Sequence, residues 1–164
     1  MAKNLTVRDR KKQLVKELVH NNPTAAKGMK VASVSIILII AVRIALAIYE
    51  AVFFTLSGVG ISLVSNLLIL PGILVLYMVY DGNKALTSVT MISAFIRIIY
   101  YFSTVYSTLP ETTGTAAYTG VYITVMLFQF LTSIFISENP SCKEYCNIMQ
   151  RINFRIRSEM TGKK

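Results

Sequence analysis

Charge is spread so unevenly along this chain that its gaps dictate most of what the chain can fold into. No Asp, Glu, Lys or Arg occurs from Ala51 to Tyr80, nor from Thr112 to Ser137. Two further stretches are nearly as clean. Val31 to Ser57 is interrupted only by Arg43 and Glu50, and Ala85 to Pro110 only by Arg97. A helix needs about 20 apolar residues, each rising about 1.5 Å, to cross the hydrocarbon of a bilayer. The gaps therefore predict four spans, roughly 31–56, 61–80, 85–108 and 115–137. The apolar stretches are too long for single membrane strands and lack barrel alternation. Helices satisfy their own backbone where no water does.

Composition agrees. Of the 164 residues, 54% are hydrophobic and 15% charged, and the mean hydropathy is +0.55. Soluble domains carry about 25% charged residues. These values exclude a disordered chain and an ordinary cytosolic enzyme, and two cysteines do not make a disulfide scaffold. The connections are short: Ser57-Gly58-Val59-Gly60, Asp81-Gly82-Asn83-Lys84, and Leu109 to Gly114. Such turns force neighbouring spans to run antiparallel. The expected fold is an all-α membrane protein, a four-helix transmembrane bundle running up-down-up-down.

Orientation follows from Lys and Arg outside the spans. Residues 1–30 hold eight, the 81–84 turn holds Lys84, and residues 138–164 hold six. The other two loops hold none, so fifteen of the seventeen lie on one side. Both termini are expected in the cytoplasm, of a bacterial cell membrane by the resemblance given below. The first apolar segment starts late and is too long for a cleaved signal peptide, so it is expected to act as an uncleaved anchor. The net charge of +9 then belongs to one membrane face and implies contact with anionic lipid headgroups rather than nucleic acid.

Each tail predicts an amphipathic helix lying at the interface. In residues 6–20, Thr6 is placed to cap, Asp9 sits in the first turn, and Leu14, Val15, Leu18 and Val19 share a face. Asn21-Asn22-Pro23 ends it. In residues 141–160, Ser141 and Glu144 have capping-box spacing, and Tyr145, Ile148, Met149, Ile152 and Ile156 form a stripe. Lys11, Lys12, Lys16, Arg151 and Arg155 are the expected membrane-surface contacts, with docking of a cytoplasmic partner as the alternative. Cys142 and Cys146, four apart, read as plain thiols on the cytoplasmic side. With one His elsewhere, no metal site or other cofactor is expected.

The charges inside the spans carry the most information, since one at mid-bilayer costs about 2.5–3.5 kcal/mol even on a lenient scale. Arg43 follows Lys30 by 13 residues and Arg97 follows Lys84 by 13, which sets both guanidinium groups at similar depth. Glu50 lies two turns beyond Arg43 on nearly the same face. One carboxylate against two arginines motivates an anion site, whereas snorkelling or structural pairing is the plainer reading. The candidate polar site is Arg43, Glu50, Asn66, Arg97 and Gln129. Thr90, Ser93, Arg97, Tyr101 and Thr104 form a stripe on span three, and Tyr118, Tyr122, Gln129 and Thr132 or Ser133 one on span four. Ordinary interhelical hydrogen bonding also explains such stripes. Pro71 predicts a kink that frees the carbonyl of Leu67. Tyr100, Tyr101, Tyr106, Tyr118 and Tyr122 read mostly as an outer aromatic belt. Val42-Arg43-Ile44 and Ile96-Arg97-Ile98 stand 54 residues apart, as two duplicated hairpins would place them.

Catalysis is not expected: the spans contain no His and Glu50 is their only carboxylate. The chain resembles small four-span proteins of bacterial cytoplasmic membranes, a group without an assigned activity, and Ser141-Cys142-Lys143-Glu144-Tyr145 resembles their S-x-K-E-Y ending. Small multidrug transporters likewise have four spans and one acidic residue in the first. This chain departs from them in its length, its tails and its intramembrane arginines. The expected function is a non-enzymatic accessory or sensory subunit acting through contacts with a membrane partner. The alternative is a homo-oligomeric transporter or channel subunit that moves an anionic solute past the arginines.

Overall fold

The computed structural model describes residues 6–57, 69–83, 85–109 and 113–161. Among these residues the chain is all-helical. Its α-helices are α1 (Val7–Leu18), α2 (Pro23–Ser57), α3 (Ile69–Tyr80), α4 (Ala85–Tyr100), α5 (Thr113–Glu138) and α6 (Pro140–Thr161). A π-helical turn, Tyr101–Val105, and a 3-10 turn, Tyr106–Thr108, extend α4. Two of the helices are long and apolar enough to cross a membrane, over Pro23–Phe53 and Gly114–Glu138. Thr87–Ser103 is apolar but shorter. Residues 58–60 of the expected Ser57–Gly60 turn, Asn66 and the carbonyl of Leu67 lie outside the described residues.

Helices α2 to α5 pack side by side, and their contacts give their directions. Along α5, Tyr118 meets Glu50 while Met126 shares a cavity with Arg43, so α5 runs against α2. Tyr101 meets Thr119 and Thr90 meets Ser133, so α5 also runs against α4. Tyr80 packs on the cluster that holds Ala32, while Gly72 approaches Arg43, so α3 runs against α2.

The two tail helices and the 81–83 turn meet at one end as a cap. Leu14 of α1 and Val19 at its C-cap, Ala25 and Ala32 of α2, and Cys142, Tyr145, Met149 and Ile152 of α6 are all buried in one apolar cluster. The small residues of α2 explain the close crossing: a Cβ on Gly28 would stand 1.9 Å from the Ser141 carbonyl oxygen. α6 also clamps the turn. Tyr145 donates to the carbonyl of Tyr80 at 2.8 Å, Gln150 to that of Gly82 at 3.0 Å and Asn153 to that of Asp81 at 2.9 Å. Gly82 has φ +97, and its missing Cβ leaves room for Met149, which would lie 2.6 Å away. Lys11 pairs with Asp81, and Arg10 with Glu159 at 3.4 Å. The hydrogen bond from Arg10, with Arg155 nearby, holds the Glu159 carboxyl below its usual range. Burial and the adjoining Tyr80 push the Tyr145 phenol up.

Several local expectations change here. The stripes that would lie on lipid instead bury into each other and into α2, because two half-apolar helices close together remove more apolar surface than either alone. Leu18 is left 39% exposed, outside that contact. The first span is not separated from the tail at residue 30: α2 runs unbroken from Pro23, with Lys27 and Lys30 on its exposed side. Asn139, not Ser141, caps α6, accepting from the backbone N–H groups of Ser141 and Cys142 at 3.0 and 3.2 Å. Pro140 then occupies the first helical position, where its missing N–H costs nothing. Thr6 caps α1 as expected, accepting from the N–H of Asp9 at 3.2 Å.

Candidate functional site

The candidate site is built from three helices at the end of the bundle away from the cap. α2 presents Arg43, Leu46, Ala47 and Glu50 at helical spacing on one face. α4 adds Arg97, and α5 adds Tyr122 and Met126. Together they enclose a cavity of about 10 Å³, room for about one water. Arg43 is 8% and Glu50 5% exposed. Gly72 of α3 lies alongside, since a Cβ there would stand 3.5 Å from an Arg43 guanidinium nitrogen.

Tyrosines complete the shell. The Tyr118 hydroxyl donates to Glu50 Oε1 at 3.0 Å, and the Tyr122 hydroxyl to the Arg97 backbone carbonyl at 3.3 Å. Tyr118 stacks on Phe53 at 4.7 Å, and Tyr122 on Tyr101 at 4.5 Å. Thr119 spends its own proton on the Thr115 carbonyl, so the Tyr101 hydroxyl is the donor in their 2.6 Å contact. The sequence reading assigned Tyr101, Tyr118 and Tyr122 mostly to an outer belt. All three are buried instead, and only Tyr100 and Tyr106 stay exposed. The seven-residue recurrence with Gln129 in the span-four stripe was the signal that Tyr122 faces inward.

A second polar layer lies between the charges and the cap. Gln129 donates to the Thr90 carbonyl at 3.0 Å and to the Ser93 hydroxyl at 3.3 Å. The Thr90 hydroxyl reaches Ser133, whose own hydroxyl donates to the Gln129 carbonyl at 2.8 Å. Among the described residues, Gln129 Oε1 is the one buried side-chain polar atom without a partner.

Arg43, Glu50 and Arg97 thus meet at one cavity, whereas Gln129 lies about 10 Å of helix away from Tyr122. On the cap, Lys12, Lys16, Arg151 and Arg155 are exposed. Lys11 turns inward to Asp81 and Arg155 pairs with Glu159 at 3.3 Å. Cys142 and Cys146 are both buried and form no disulfide, and among the described residues no three His, Cys, Asp or Glu cluster as metal ligands. The arrangement offers two guanidinium groups, one carboxylate and the Tyr122 phenol around a single-water space, with the Tyr118 phenol bonded to the carboxylate. That chemistry can hold a charge or a small anion. No protein-family model, no curated protein and no solved structure is significantly similar to this chain.

Proposed function

We propose that the chain is a four-span integral membrane protein of a bacterial cytoplasmic membrane, with both termini in the cytoplasm, that acts as a non-enzymatic accessory or sensory subunit through contacts with a membrane partner. The observation that carries this reading is the close packing around the buried charges. Among the described residues, Arg43, Glu50 and Arg97, the charges inside the expected spans, line a cavity of about 10 Å³, too little for a solute to pass. The chain then works through its surfaces. Both tails and the 81–83 turn gather at one end, which supports an even number of crossings. By sequence, fifteen of the seventeen Lys and Arg fall in the two tails and the 81–84 turn, which supports a cytoplasmic placement of that end.

A second reading has its own observation. Two arginines face one carboxylate in a buried site, and the surplus positive charge suits an anionic solute carried by an oligomer. Water access separates the two. With Cys142 and Cys146 replaced by Ser, single cysteines at Ser93 and Gln129 are exposed to a membrane-impermeant thiol reagent, in intact cells and in inverted vesicles. The accessory reading expects no labelling from either side. Labelling from one side overturns it and favours transport.

A further inference from the structure

The two cysteines stand one turn apart on α6, and the fold gathers them at one small cavity. Positions four apart on a helix share a face, with Cβ atoms about 5–6 Å from each other. Cys142 and Cys146 are both buried, form no disulfide and line a cavity of about 150 Å³. Thr87 of α4 and the 136–138 end of α5 make its other walls. Its mouth lies beside the ion pair of Lys143 and Glu138, 2.9 Å long, whose side chains are both well exposed. Burial, with Cys146 close by, disfavours a negative charge on Cys142. A cation placed between the two sulfurs offsets that cost for both.

We infer that Cys142 and Cys146 together bind one copper(I) ion in this cavity, as the two sulfur ligands of a two-coordinate site. The inference goes beyond the accessory reading and depends neither on it nor on how many helices cross a membrane. The donor set selects the ion. Soft thiolates favour copper(I), whereas hard cations take carboxylate, carbonyl and water. Structural zinc takes four ligands, and among the described residues no third His, Cys, Asp or Glu joins the pair. Glu138, the carboxylate on the cavity, is engaged by Lys143. Both cysteines belong to the apolar cluster of the cap, and Ile136 of that cluster also lines the cavity, so the ion is sheltered from water. Binding exchanges protons for metal. The copper ion replaces the two S–H protons, which leave to solvent, and two Cu–S bonds form with no change of oxidation state. Any hydrogen bond that either thiol donates is given up at that moment, including that of Cys142 to the Gly28 carbonyl at 3.6 Å. That carbonyl belongs to α2, so loading the site acts on the crossing of α2 and α6.

The test uses the purified full-length chain in detergent, reduced and kept free of oxygen, titrated against copper(I) held by bicinchoninate. The chain should withdraw one copper(I) per chain and gain an ultraviolet sulfur-to-copper band. X-ray absorption should show a two-coordinate shell of sulfur alone. Cys142→Ser and Cys146→Ser should each lower the affinity more than about 100-fold, beyond the 10–100-fold that loss of a supporting contact costs. Lys143→Gln, at the rim, should keep both the stoichiometry and the band. Circular dichroism of the metal-free variants checks their folding, and the wild-type stoichiometry and shell decide the matter where a variant does not fold. Failure of the wild type to withdraw copper overturns the inference. So does binding that survives both cysteine substitutions, a shell containing nitrogen or oxygen, or one copper shared between two chains.

Discussion

Gly28→Ala probes the contact on which the cap depends. The added Cβ would lie 1.9 Å from the carbonyl oxygen and 2.4 Å from the carbonyl carbon of Ser141. Both are backbone atoms, so no side chain can swing aside. Reaching ordinary contact near 3.4 Å requires α6 to move about 1.5 Å from α2. Gaps of 0.5–1 Å already forfeit a quarter to a half of a dispersion contact, and overpacking of this kind costs about 1–3 kcal/mol. Cys142 reports the movement directly. Its thiol is 1% exposed and reaches the Gly28 carbonyl at 3.6 Å. Burial, with Cys146 close by, pushes its pKa from the ordinary 9.0 to about 11. Near neutral pH its thiolate fraction is thus about 100-fold below that of an exposed thiol. In a Cys146→Ser background, Gly28→Ala should raise the thiol-labelling rate at least about tenfold. The wild-type rate should climb with pH towards 11, whereas the variant's should level off near 9. The sign for stability follows from the raised value. The neutral thiol is favoured by the fold, so the cap's contribution is intact below about 9 and is lost as pH rises through about 11. Equal labelling rates and equal melting temperatures in the two proteins would refute the close crossing.

Three further outcomes follow from the same contacts. Glu50→Ala leaves two arginines around the cavity without their carboxylate and should cost about 3–5 kcal/mol; Glu50→Gln, which keeps an acceptor for the Tyr118 hydroxyl, should melt in detergent measurably higher than Glu50→Ala, and coincident melting would remove Glu50 from the cluster's support. Gly82→Ala forces a side chain to φ +97 against Met149, with a backbone cost of about 1–2 kcal/mol before the clash, so its melting temperature should fall and an unchanged one counts against the clamp on the turn. Lys11→Met breaks a partly exposed ion pair with Asp81, worth about 0–1 kcal/mol; it should lower stability less than Gly82→Ala does and only at low salt, and a salt-independent loss would assign Lys11 a packing role.

Periodicity made the tail helices legible and charge spacing made their neighbours legible, but neither revealed what the apolar stripes meet. Tyr145, Ile148, Met149, Ile152 and Ile156 are all buried, as their spacing implies. An amphipathic face looks identical whether it lies on lipid or on another helix, so the closure of α1 on α6 left no mark in either sequence alone. The marks existed between them. Ala25, Gly28 and Ala32 form a stripe of small residues at the start of α2, where a second helix can approach. Lys27 and Lys30 obscured it by looking like tail. Gly82 was read as a turn glycine, whereas its positive φ and its contact with Met149 also make it the socket for α6.

The charged site shows the same division between what one element reveals and what needs a neighbour. Equal spacing from Lys30 and Lys84 set Arg43 and Arg97 at one depth, and the two line one cavity. Depth alone does not say which way a side chain faces, and the tyrosines carry that answer. A belt tyrosine needs its hydroxyl at the headgroups, while a core tyrosine needs an acceptor inside. Glu50 and the Arg97 carbonyl supply those acceptors for Tyr118 and Tyr122. Each partner lies on a different helix, so no periodicity within α5 could find it. The consequence is a division of labour around Glu50. The carboxylate accepts from a phenol while it faces two guanidinium groups, so its removal strands charge and its neutralisation to an amide does not strand the phenol. Tyr118→Phe isolates the other half: it leaves every charge in place and removes one donor to Glu50 Oε1. A hydrogen bond to a charged group contributes about 1.5–3 kcal/mol, so Tyr118→Phe should destabilise the protein by less than Glu50→Ala. Paired in a double-mutant cycle with Glu50→Ala, which removes the acceptor, it should show strong coupling. Additive effects of the two substitutions would mean that the phenol and the carboxylate support the bundle separately, and that the cluster is held by its arginines alone.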